Sequence, residues 1–365
     1  MLKDRNQKQQ ALSLSVANRW FPQLEVDVQP VRAIRDRAPT VTDLDVFSSI
    51  PDQFAGYRTV IFDCKTKARE SPINRALWMS GLLERLRADQ GICVLKKDAI
   101  ELDHRLFAAR LRVILLAEDE FELYARATAQ NYLAKLGNLA DIAVWEQFFD
   151  IPVKFYRLMP AVSFIRSGYW MIDEASEACR KTLSELRAVH TELDPARAEH
   201  LTLFLDFCAL FARSLAIATC NLFKAYLHPA SQADLSRALL VMLYGGREAY
   251  EHRNELYKRL KGQAQNEAAV EDLSLPEWDR FLQLARQVLD APVEAQKVPL
   301  ILREVGFSFL CNDTARPFAK TLCAESPQAA RFSLLIVDYL SKAGNLPPEF
   351  GKSSESALLS LQPVK

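Results

Sequence analysis

Glycine is scarce in this chain, at 11 of 365 residues. An all-β fold with many tight turns needs more, because glycine takes φ > 0 in such turns without strain. The shortage favours long helices with short connections. An excess of charge is also missing, since 46 Lys and Arg balance 46 Asp and Glu. That excludes a polycation that coats nucleic acid or an anionic membrane through net charge, and any such binding must come from a local patch. The seven cysteines contain no C-x-x-C pair and are odd in number. A fully paired disulfide framework and the common structural zinc patterns are therefore excluded, and buried free thiols in a reducing compartment are expected. The histidines His104, His190, His200, His228 and His252 lack metal-ligand spacing to one another or to a cysteine, and read as surface or core residues.

Long uninterrupted hydrophobic runs are lacking too. The most apolar stretch, Leu201 to Leu227, could cross a bilayer by length, but Asp206, Arg213 and Lys224 interrupt it. The first 21 residues are charged and then amphipathic, without the apolar run and cleavage site of a signal peptide. A buried core helix in a cytoplasmic protein with no membrane association is expected. Hydrophobic residues at 49% and charged residues at 25% supply a core of ordinary size, and the length suggests two domains.

Periodicity changes along the chain. Gln10 to Trp20 has helical spacing, and Glu25 to Val31, Val41 to Phe47 and Tyr57 to Lys65 read as three strands of an antiparallel meander, with Pro51, Asp52 and Gly56 in a turn. Ser71-Pro72 then starts a helix. Apolar runs at Gly91–Leu95 and Val113–Ala117 read as buried strands separated by a helix over Leu102–Leu111, with another helix from Glu120. Strands joined through helices run parallel, so the sheet is expected to be mixed and flanked by helices. From about residue 131 the strand signals fade. Helical segments are expected at 141–150, 161–192, 196–228, 232–262, 276–290, 296–310 and 326–343. The expected organisation is an α/β domain over 1–130, a larger all-α domain over 131–345 and a tail over 346–365. Tyr244-Gly-Gly-Arg247 lacks the G-K-[ST] ending and preceding strand of a phosphate loop, and reads as a turn between helices.

The chemistry concentrates in Thr42-Asp-Leu-Asp-Val46 and, 18 positions after Asp45, Asp63-Cys-Lys65. Side chains alternate across a strand, so Asp43 and Asp45 share one face, as do Asp63 and Lys65. Pairing of the two strands brings these groups to one patch, where unpaired carboxylates are costly. Two aspartates and the Cys64 carbonyl offer hard oxygen ligands of the kind Mg²⁺ takes, with water and phosphate oxygens completing the shell. A neighbouring lysine ammonium can orient water and offset charge on a phosphorane. Asp63-Cys-Lys65 is the single (D/E)-x-K among the 17 lysines.

These residues and the element order resemble the PD-(D/E)xK, restriction-endonuclease-like nuclease superfamily over roughly residues 8–130. The resemblance implies a restriction-endonuclease-like fold, with Asp45 and Asp63 as metal-ligating acids, the Cys64 backbone carbonyl as a further ligand, and Lys65 as the catalytic lysine. It further implies Mg²⁺ or Mn²⁺ as cofactor and endonucleolytic hydrolysis of nucleic acid, DNA favoured over RNA. No proline precedes Asp45, the second acid is Asp where Glu is commoner, and the first helix offers no acidic ligand. Asp43, Lys67 and Glu70 are secondary site candidates, and Arg69, Arg75, Lys96 and Lys97 form a basic rim for phosphates. The helical region is expected to position substrate, or to mediate a homodimer or partner contact. The competing expectation is a catalytically degenerate nuclease fold serving as a binding or scaffold subunit, for example in a bacterial defence or repair system.

Overall fold

The computed structural model describes residues 2–29, 40–54, 56–65, 71–97, 99–134, 136–225, 227, 231–264 and 271–361. Helix α1 (Arg5–Ala17) precedes a five-stranded sheet of β1 (Phe21–Val28), β2 (Thr42–Asp52), β3 (Gly56–Lys65), β4 (Gln90–Leu95) and β5 (Val113–Ala117). The strands lie in that order, β1–β2–β3 antiparallel and β3–β4–β5 parallel. The parallel crossovers carry α2 (Pro72–Leu86) and α3 (Leu102–Arg110), and α4 (Glu120–Thr128) follows β5. This is the expected mixed sheet with flanking helices. Ser71 caps α2 by accepting from the Asn74 amide, with Pro72 in the first turn where its missing N–H costs nothing. Several boundaries differ. The first helix runs over Arg5–Ala17 against the expected Gln10 to Trp20, the first strand over Phe21–Val28 against the expected Glu25 to Val31, and Pro51 and Asp52, expected in the turn, pair with Tyr57 and Gly56. The β1–β2 ladder has ended at Phe21↔Ser49, so Pro51 lies where β2 is an edge strand and a missing donor is tolerated.

The rest of the chain is mostly helical. It contains α5 (Ile142–Phe149), α6 (Ile151–Lys154), α7 (Met159–Arg166), α8 (Ala175–Val189), α9 (Ala198–Ala225), α10 (Gln232–Leu243) and α11 (Arg247–Ala264). These are followed by α12 (Trp278–Asp290), α13 (Pro292–Ala295), α14 (Val298–Leu310), α15 (Pro317–Glu325), α16 (Pro327–Ala343) and α17 (Pro348–Leu359). One expected segment is broken, by a 3₁₀ turn at Gly168–Met171 inside 161–192, while the turn expected at Tyr244-Gly-Gly-Arg247 is present, with Gly245 and Gly246 at φ +88° and +103° between α10 and α11. The tail expected over 346–365 is corrected. Pro348 opens α17, whose Phe350, Ser354, Ala357 and Leu358 are buried at helical spacing, and Phe350 lies 5.6 Å from the Phe204 ring. Pro347 and Pro348 form a helix start.

Helix α9 is apolar around nearly its whole circumference, which a helix tolerates only when surrounded. It is long and apolar enough to cross a membrane, and 89% of its most apolar window is buried inside the protein. It packs most heavily on α14 and also reaches β3. Close approach to α14 is possible because Gly306 has no side chain: a Cβ there would stand 3.2 Å from Leu205. Core residues of the sheet and of the helices form one contiguous cluster.

A buried carboxylate of α14 holds the segment between α4 and α5. The α14 carboxylate of Glu304 accepts from the Asn138 and Leu139 amides at 2.9 and 3.0 Å, at the start of the segment that leads into α5. A Cβ on Gly137 would collide with this carboxylate. Burial pushes the Glu304 carboxyl up to about 7, against the pull of those amides. A folded-state value above the ordinary 4.5 means that the folded protein holds the proton more tightly between 4.5 and about 7. The group's contribution to stability is then greatest below pH 4.5 and declines as pH rises to about 7. A shift of that size corresponds to roughly 3 kcal/mol. Glu304→Gln is expected to remove this component, seen as a flatter stability profile than wild type between pH 4.5 and 7 in urea titrations. The variant should also lose about 1–3 kcal/mol, because an amide NH₂ in place of one oxygen leaves a buried N–H without an acceptor.

Candidate functional site

The strand register builds the site. Rungs of β1 and β2 place Glu25 opposite Asp45, between Leu24↔Val46 and Val26↔Leu44. The last β2–β3 rung is Val46↔Phe62, after which the two strands diverge and β3 continues against β4, with Asp63↔Cys93 and Cys64↔Val94. Asp45 stands in this divergence, where the Cys64 amide has lost its β2 partner, and its Oδ2 accepts that N–H at 2.7 Å. Main-chain N–H and C=O of one strand residue point to the same side, so the Cys64 carbonyl also faces the gap.

The three candidate side chains converge. Lys65 Nζ lies 3.4 Å from Asp45 Oδ2 and 3.2 Å from Asp63 Oδ1, bridging the two acids. Both aspartates are buried, while Lys65 is 22% exposed and is the member that meets solvent. Two more cations complete the cluster. Lys8 of α1, itself buried, ion-pairs with Asp45 Oδ1 at 2.9 Å and with Glu25. Arg75, in the first turn of α2, holds Asp63 with two N–H groups, Nε to Oδ2 at 2.8 Å and Nη2 to Oδ1, and stacks 3.8 Å over the Trp78 ring. Lys8, Lys65 and Arg75 thus balance Glu25, Asp45 and Asp63, and Arg166 also approaches Glu25 at 3.9 Å.

Burial pushes the Asp45 carboxyl up, against Lys65, Lys8 and the Cys64 amide. Burial works against the Lys8 and Lys65 ammonium groups, but the facing carboxylates outweigh it and raise both. The stability these lysines contribute is fully present below their ordinary value of 10.5 and is lost only as pH climbs past it. Burial first, and then the neighbouring aspartates, hold the Cys64 and Cys93 thiols far above their usual range, so neither is a thiolate nucleophile.

The chain matches no family model, no curated protein and no solved structure. The site is therefore read from its own geometry.

Two sequence expectations change. Arg75, placed in the phosphate rim, is turned inward onto Asp63, because α2 begins close enough to the end of β3 for a long side chain to reach a buried acid. Asp43 shares the alternation of Asp45 but lies two rungs past it, exposed and opposite Asp27. Lys96 and Lys97 follow β4 at the same sheet edge as Lys65, and the Lys96 amide donates to the Lys65 carbonyl at 3.1 Å. The Lys96 side chain is exposed there and Lys97 is half-buried. Lys67, Arg69 and Glu70 lie outside the described residues.

Sequence reasoning missed Lys8 and Glu25. Lys8 occupies the buried stripe of α1 with Ala11, Leu12 and Ser15, and a lysine on that stripe signals a buried acid partner. Glu25 shares the alternation of Gln23 and Asp27 in β1, and only the register shows that it neighbours Asp45.

Among the described residues, no three His, Cys, Asp or Glu side chains gather as a ready metal cage. The donor set is two carboxylates and a main-chain carbonyl, which suits Mg²⁺, an ion commonly bound by one or two carboxylates with water in its remaining positions. In the structure, the carboxylate oxygens are held by Lys8, Lys65 and Arg75.

Proposed function

We propose that this chain is a Mg²⁺- or Mn²⁺-dependent endonuclease, DNA favoured over RNA, with a restriction-endonuclease-like N-terminal domain. One observation carries the reading: the two aspartates of diverging strands meet beneath a single lysine that bridges both. Asp45, Asp63 and the Cys64 carbonyl would hold the ion, which supplies Lewis-acid charge and a more acidic bound water. The chain's own groups do the rest. Lys65, the most exposed cation of the cluster, is placed to hold a phosphate oxygen and offset charge as the phosphorus centre becomes five-coordinate. Lys8 and Arg75 fix the carboxylates in position from the buried side. Lys96 offers a phosphate contact beside them. The helical region would position substrate or engage a second copy or a partner protein.

Purified protein should nick or linearise plasmid DNA with Mg²⁺ or Mn²⁺ and stop when EDTA is added. Mn²⁺ should raise the melting temperature of the wild type and leave Asp45→Ala unmoved. Absence of both cleavage and the Mn²⁺ shift would overturn the proposal.

A second reading is favoured by the pairing of every carboxylate in the cluster with a cation of the chain. It takes the cluster as a neutral structural network in a degenerate nuclease fold that serves as a binding or scaffold subunit. Under that reading, melting is indifferent to Mn²⁺ in the wild type as well.

A further inference from the structure

Far along the chain from the acidic cluster, α8, α9, α10 and α11 line an open cavity of about 500 Å³, within the size range of small-molecule sites. Arg180 and Arg253 both line it. Neither forms an ion pair with a carboxylate among the described residues, although Glu174 and Glu177 are in the wall, and Arg180 Nε is buried without a hydrogen-bond partner. Burial and the charge of Arg253 both lower the Arg180 pKa, as expected when two like charges face one space. The Arg180 guanidinium is steadied 5.2 Å over the Tyr244 ring. The start of α8 contributes too: Ala175 and Ser176 line the cavity, and the Glu174 side chain does not cap the helix. Unpaired N–H groups at a helix start favour an anion.

A second cavity, of about 200 Å³, shares Glu174, Ala175 and Asn221 with the first. Its walls include Tyr169, Trp170 and Met171 beside Arg85, Arg87 and Asp173. Arg213 sits there, 5.1 Å from the Trp170 ring and 5.2 Å from Tyr57, bonded to Ser49 Oγ and the Tyr169 hydroxyl, with no carboxylate partner among the described residues. Both compartments carry arginines and the second also carries aromatic rings, which matches a ligand with phosphates and a flat ring with polar edges.

We infer that this double cavity binds a nucleoside phosphate, its phosphates on Arg180 and Arg253 and its base toward Trp170. The site is separate from the Asp45–Asp63–Lys65 cluster and does not depend on the nuclease reading. Calorimetric titration of the full chain in EDTA with ATP, AMP and inorganic phosphate tests it. ATP should bind at least tenfold more tightly than phosphate, Arg180→Gln and Arg253→Gln should each weaken ATP at least tenfold, and Lys65→Ala should leave it unchanged. Arg253 is exposed, so Arg253→Gln should melt like the wild type without ligand, which separates lost binding from lost folding. ATP binding no tighter than phosphate, binding unaffected by either arginine variant, or no binding at millimolar ATP would overturn the inference.

Discussion

Lys65→Ala is expected to lower metal-dependent cleavage at least a hundredfold to a thousandfold, about what removal of one preorganised charge-stabilising donor costs an enzyme. The variant should fold. Lys65 is partly exposed, and without it Asp45 keeps Lys8 and the Cys64 amide, while Asp63 keeps both N–H groups of Arg75. Its melting temperature should therefore drop little, and loss of activity in a folded protein would point to chemistry. Asp63→Ala should be equally inactive and less stable, because it removes the buried carboxylate that Arg75 holds with two N–H groups and Lys65 with a third contact. Lys96→Ala should keep the turnover rate, weaken binding of all sequences alike and reduce the salt slope of binding by about one. Wild-type rates in folded Lys65→Ala would end the catalytic assignment.

The sheet was legible because its signals are local. Val60, Ile61 and Phe62 at the centre of β3, and the runs Gly91–Leu95 and Val113–Ala117, are β-rich segments between turn and helix signals, and each became the expected strand. Asp45, Asp63 and Lys65 were legible for a related reason, since alternation along two short strands is enough to place them together. What stayed hidden depends on residues distant in sequence. Glu25 enters the site through register alone, and Lys8 reaches it from a separate helix. Arg75 looked like a surface cation because its partner sits 12 residues earlier, on another element. The α17 segment was misread for a different reason: proline is both a loop residue and a favoured first-turn helix residue, and only the buried Phe350 decides between them.

Arg303→Met is expected to be among the most destabilising single changes in the helical region, at about 3–5 kcal/mol, because it strands a buried acid. Arg303 of α14 and Asp206 of α9 are almost wholly enclosed, with Nε and Nη2 each 2.6 Å from Asp206 Oδ1. Arg303 Nη1 also donates to the Pro22 carbonyl of β1 at 2.6 Å, and the guanidinium lies 4.1 Å from the Phe21 ring. This one side chain therefore joins the two most heavily packed helices to the first strand of the sheet. Asp206→Leu alone should cost a similar amount, by leaving the guanidinium unpaired. The double variant Asp206→Leu/Arg303→Met removes both charges and should recover much of the loss, since apolar replacement of a buried pair is often neutral or better. Recovery should stop short of wild type by about 1–3 kcal/mol, because the Pro22 carbonyl still loses its donor. Urea midpoints of the four proteins measure this. Simple additivity of the two single losses in the double variant would contradict the ion pair. Full recovery would show that the link from α14 to Pro22 contributes nothing to holding the sheet against the helices.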